Sequence, residues 1–131
     1  MEKDQASSND FTDNYGSLVY MKEITEILNE TSVLVNTIKG TSIYAEFRGA
    51  LEELQKYPEL KAQADAFREE NYLAYHALKG PVSFADFNSL EEKRAELAKS
   101  PQIDRYLKAE VALCRVLQEV QSRLVAAMSF D

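Results

Sequence analysis

From Gln102 to Phe130 the chain runs without a glycine or a proline, directly behind Ser100-Pro101. That pairing is a helix start: a serine hydroxyl can accept from an orphan N–H of the first turn, and proline at the first helical position gives up a donor that has no partner there anyway. Behind it, Ile103, Tyr106, Leu107, Leu113, Cys114, Leu117, Val120, Leu124 and Ala127 recur at the three-and-four spacing of one helical face. Val111, Val116 and Val125 widen the apolar surface beyond that stripe. A face so wide needs more than one neighbour, which makes this helix the expected spine of the fold.

The rest of the chain reads as shorter helices with proline and glycine between them. Met21, Ile24, Ile27, Leu28, Leu34, Val35 and Ile38 predict a helix over 18–39, stopped by Gly40. Its middle, Asn29-Glu30-Thr31-Ser32, is poor helix former, so one bent helix and a lead-in followed by a helix both fit. Thr41 or Ser42 caps a helix to about Tyr57, with Tyr44, Phe47, Leu51 and Leu54 as its inward row. Pro58 then begins a helix to residue 79. Leu60, Ala64, Phe67, Asn71, Ala74 and Leu78 form a heptad seam with one polar member, which either fixes register or lies at the edge of the contact. Gly80-Pro81 ends it. Phe84 and Phe87 in the connection 81–88 are expected to plug a gap between helices. Ser89 and Glu92 read as a capping box for a short helix over 89–99 with Leu90 and Leu97 inward. The run Glu53 to Leu60 is echoed by Glu96 to Ile103, each a helix, a proline-led turn and another helix. Short connections of this kind fold neighbouring helices back on each other.

Residues 1–17 contain no Leu, Ile or Val and are rich in Asp, Asn and Ser. Such a segment buries too little apolar area to offset its ordering entropy, so a disordered acidic tail is expected before a single helical domain over 18–131. The expected class is all-α, an antiparallel bundle of about five helices joined by short Pro/Gly turns. The net charge of −7 argues against direct nucleic-acid binding, which favours a clustered basic excess. One cysteine forms no internal disulfide, and the opening Met1-Glu2-Lys3-Asp4 has no apolar core of a signal peptide. No apolar run approaches the roughly 18–20 residues that span a bilayer, so a cytoplasmic location away from membranes is expected.

Nothing along the chain assembles chemistry. The single histidine, His76, has no carboxylate three or four residues away to orient it. The single cysteine, Cys114, sits on the apolar stripe, where a thiol acts as a small hydrophobe. One Cys and one His do not make a zinc site or hold an iron–sulfur cluster. Glu52-Glu53, Glu69-Glu70 and Glu91-Glu92 are adjacent and do not share a helix face. The four glycines stand alone, so there is no phosphate loop. Arg68, Arg94, Arg105, Arg115 and Arg123 are interspersed with acids and form no basic stripe. No catalytic residue, cofactor or metal ligand is assigned, and the chain does not read as an enzyme.

Two stretches taken together carry a resemblance. Ile38-Lys39-Gly40-Thr41-Ser42-Ile43-Tyr44-Ala45-Glu46-Phe47 leads to Leu51, Pro58-Glu59-Leu60 and Phe67-Arg68-Glu69-Glu70-Asn71-Tyr72. Pro101 to Glu110 leads to Leu117-Gln118-Glu119-Val120. In this order and spacing they resemble the YlbF/YmcA family of small bacterial helical proteins, over about residues 28–128. The resemblance implies helices that associate through their faces and a regulatory role linked to competence, sporulation and biofilm formation. It also implies paralogous subunits and a complex that modulates a ribonuclease. Members of that complex hold iron–sulfur clusters with cysteines toward the C-terminus. Here only Cys114 is present, mid-helix, so that property is not carried over.

The expected function is therefore that of a non-catalytic regulatory or adaptor protein acting through helix surfaces, as a homodimer or higher oligomer. Phe67, Asn71, Tyr75, Leu117, Val120 and Leu124 are its candidate partner anchors. A small-ligand or metal-binding bundle is the alternative.

Overall fold

The computed structural model describes residues 16–77 and 81–129, apart from the side chains of 76 and 77. Every regular element among them is helical, and no strand occurs among the described residues, so the all-α class holds. The helices are α1 (Ser17–Lys39), α2 (Ser42–Gln55), α3 (Pro58–Tyr72), α4 (Phe84–Leu97) and α5 (Pro101–Met128), with a π-helical turn at Leu73–Ala77. The chain divides into two compact units, Met1–Thr41 and Ser42–Asp131. The tail expected over 1–17 lies outside the described residues as far as residue 15.

In the first unit α1 is one continuous helix, which settles the two alternatives for its middle. The hydroxyls of Thr31 and Ser32 donate to the carbonyls of Ile27 and Leu28, at 2.8 and 3.1 Å. Their hydrogen-bonding capacity is thus absorbed by the helix itself, where it would otherwise begin a new one. No residue of α1 is buried, and Met21, on its apolar row, is 59% exposed.

The second unit is built on α5, which packs chiefly against α2, while α3 touches α2, α4 and α5. Its core is Ala50 and Leu54 from α2, Ala64 and Phe67 from α3, Leu90 from α4, and Ile103, Tyr106, Leu107 and Ala109 from α5. Leu54 and Ile103 are its largest fully enclosed side chains, each contributing roughly 1.5–3 kcal/mol of transfer free energy. Tyr106 stacks obliquely on Phe47 with ring centroids 5.8 Å apart, and the Arg68 guanidinium lies 5.9 Å from the centre of the Tyr106 ring. Such aromatic and cation–π geometries add to the area term. The buried small residues Ala50, Ala64 and Ala109 let the helices approach closely.

The two echoed turns match bond for bond. Lys56 N donates to Glu53 O, Tyr57 N to Leu54 O and Lys61 N to Tyr57 O. At an offset of 43, Lys99 N donates to Glu96 O, Ser100 N to Leu97 O and Asp104 N to Ser100 O. Even the flanking ion pairs recur, Lys56–Glu53 at 3.3 Å and Lys99–Glu96 at 3.1 Å. Only the cap differs. Ser100 Oγ accepts from Ile103 N at 3.3 Å, and Tyr57 has no capping side chain.

Four expectations are corrected. α4 begins at Phe84, five residues before the position expected, because Ser83 Oγ takes the N–H of Asp86 at 3.0 Å and so caps the helix ahead of Ser89. Phe84 and Phe87 consequently lie on the first turn of a helix, and they are solvent-facing, Phe84 being 78% exposed. The helix from Pro58 is α-helical only to Tyr72. The wider turn at Leu73–Ala77 rotates its residues relative to the seam, and Leu78 lies outside the described residues. Finally, the stripe of α5 is buried only over its first turns. Beyond Ala109 no residue of α5 is buried, and Cys114 is exposed. The stripe outruns its neighbours: α2 is half the length of α5 and covers only part of it.

Candidate functional site

Where α3, α4 and α5 meet at the surface they leave a groove of about 380 Å³. Its apolar floor is made by two core residues, Phe67 from α3 and Leu107 from α5, with exposed Val111 beside them. Each helix sends one arginine to its rim: Arg68 from α3, Arg94 from α4 and Arg115 from α5. Asn71, Tyr72, Cys114 and Gln118 complete the lining, and Glu110 is its only acid.

The three arginines are not equivalent. Arg68 donates from Nε to Glu110, and its Nη1 lies 3.9 Å from Asp65. Partial loss of hydration works against its charge, but the attraction of Glu110 and its other neighbours outweighs this and raises its pKa. Arg94 and Arg115 make no ion pair among the described residues. The acid one turn beyond Arg115, Glu119, is held by Arg123 Nε at 2.9 Å. Arg115 also lies at the edge of a second, shallower apolar groove with Ile43, Val116 and Val120.

The candidate anchors fall in three places. Phe67 is buried in the core with its edge on the groove floor, and half-buried Asn71 stands at the rim. Tyr75 is exposed, beside Pro81, Val82, Phe84 and Phe87. Leu117 and Leu124 lie on the outer length of α5, 49% and 58% exposed, with half-buried Val120 between them. Sequence reasoning missed the arginine cluster. Residues 68, 94 and 115 share no periodicity, and only the packing of three helices brings them to one rim.

Among the described residues no three of His, Cys, Asp and Glu gather as metal ligands would, and no helix is long and apolar enough to cross a membrane. The side chain of His76 lies outside the described ones. Fold and groove together define a small all-α protein with an arginine-rimmed cleft and a long helix face left open.

The chain belongs to the YlbF/YmcA family: the family model for "Control of competence regulator ComK, YlbF/YmcA" matches residues 27–129. It is similar to a UPF0342 protein of Caldicellulosiruptor bescii, 25% identical over 112 residues, covering 84% of this chain and 92% of that protein. A UPF0342 protein of Caldicellulosiruptor saccharolyticus is 27% identical over 108 residues, covering 81% and 87%. No solved structure matches the chain significantly.

Proposed function

We propose that this protein is a non-catalytic regulator that works in the cytoplasm by presenting helix faces to other proteins, and first of all to a second copy of itself. The observation that carries this reading is the outer half of α5. Leu117, Leu124, Val125 and Met128 are exposed and Val120 is only half-buried, so together they leave an apolar row open along the helix. Scattered exposed hydrophobes are ordinary, but a contiguous helical row of them is the mark of an association surface. The family supports a regulatory role, and paralogous subunits and a ribonuclease complex are the partners its resemblance suggests.

Sedimentation equilibrium at low micromolar concentration tests the self-association. The native chain is expected to be dimeric or larger. The double variant Leu117→Glu/Leu124→Glu is expected to be monomeric with unchanged far-ultraviolet helicity, since neither side chain is part of the core. A native chain that is monomeric there overturns the reading.

A further inference from the structure

We propose that the groove between α3, α4 and α5 docks an acidic segment of a partner protein, one that carries an apolar side chain between carboxylates. This deepens the functional reading above and rests on it, by giving the partner a chemistry.

The charge pattern points to the occupant. The chain has 22 acids against 15 Lys and Arg, so a cation without an acid beside it is against the odds. Among the described residues nine of the thirteen Lys and Arg side chains, Arg68 with them, have carboxylates within 4.0 Å. Of the four that are not, Lys22 and Lys39 lie on α1, and the other two, Arg94 and Arg115, line the same groove as Arg68. Glu91, one turn before Arg94, is not drawn into a pair with it. The groove therefore offers two guanidinium forks without an acid partner, half-buried Arg94 and exposed Arg115, and such forks match carboxylates in a planar, two-point fashion. Between them the floor of Phe67, Leu107 and Val111 favours a hydrocarbon side chain.

A nucleic-acid strand fits less well. Its phosphates run past a short rim onto a chain whose net charge is −7, and the floor is too small to seat successive bases.

The probe is a fluorescein-labelled peptide, Asp-Glu-Phe-Asp-Glu-Leu, titrated with the full chain at about 50 mM salt and read by polarisation, where screening is weak. Arg94→Gln/Arg115→Gln is expected to weaken binding at least tenfold. Arg48→Gln/Lys56→Gln removes the same charge from α2 and the turn that follows it, away from the groove, and is expected to weaken it less than twofold. Circular dichroism is expected to show equal helicity for both. Cys114 is an exposed thiol in the groove lining and gives a second readout: its reaction with Ellman's reagent is expected to slow when peptide is bound.

The proposal is overturned if the peptide does not bind, if its Asn/Gln counterpart binds as well, or if the two double variants weaken it equally. It is also overturned if inorganic phosphate or a short single-stranded RNA occupies the groove in preference to the peptide. Failure here with an intact dimer removes only the groove. A monomeric chain that still binds the peptide removes only the self-association.

Discussion

Arg105 clamps Glu46: its Nε and Nη2 donate to the two carboxylate oxygens at 2.8 and 3.0 Å, tying the first turns of α5 to the second turn of α2 across 59 positions of chain. The hydrogen bond from Arg105, with its positive charge adding, holds the Glu46 carboxyl below its ordinary value of 4.5 against the opposing effect of desolvation. A carboxyl depressed in the folded state stabilises the fold above its unfolded pKa, and that contribution is lost as pH falls through the lower, folded value. Titration of Glu46 by carbon-13 NMR is expected to give a midpoint below 4.5 in the native chain. In Arg105→Met the midpoint should move back up.

Gly49 faces the same guanidinium. A Cβ there would lie 3.0 Å from Arg105 Nη2, so the arginine must give way to any larger residue. In an Arg105→Ala background, Gly49→Ala is expected to stabilise by about 0.5–1 kcal/mol, the ordinary helix-interior gain. With Arg105 present the gain is expected to be smaller, and a double-mutant cycle in urea measures the difference.

The duplicated turn supplies its own comparison. Ser100→Ala is expected to cost about 1 kcal/mol by removing the acceptor of the Ile103 N–H. Tyr57→Ser places the same acceptor in the equivalent turn and is expected to stabilise by about 0.5–1 kcal/mol. Thermal or urea unfolding checks both, and a loss at Tyr57→Ser would show that the tyrosine ring contributes more than the cap.

Leu54→Ala empties a fully enclosed site and is expected to cost about 2–5 kcal/mol. Leu124→Ala, on the open face of α5, is expected to change monomer stability by less than about 0.5 kcal/mol while lowering the affinity for a second copy. Unfolding measured at several protein concentrations separates the two effects, because only association depends on concentration.

Tyr106 gives an alkaline counterpart to Glu46. Its burial in the core pushes the phenol above its ordinary value of 10.0. Stability from this group is present below about pH 10 and is lost as pH rises through the folded value, and Tyr106→Phe is expected to flatten that alkaline limb. Urea unfolding across the alkaline range measures the slope in both chains.

Helix existence was legible from the chain because it depends on local chemistry. The Ser100-Pro101 start, the Pro58 start, the halt at Gly40 and the inward placement of Leu54, Ala64, Phe67, Leu90 and Ile103 all follow from caps and period. The early start of α4 was also written locally, in Ser83 three residues before Asp86, but a second serine with a glutamate three residues on competed with it.

Periodicity does not contain the length over which a neighbour lies alongside. The apolar row of α5 reads the same at Leu107 and at Leu124, yet one is core and the other open, because α2 is shorter than α5. In the same way, Arg68, Arg94 and Arg115 are unrelated along the chain and become one rim only where three helices converge. Sequence alone determined which segments coil, since hydrogen bonding and side-chain spacing act within a few residues. Tertiary structure decided which apolar faces and which charges are left over, since that depends on where each helix ends against the next.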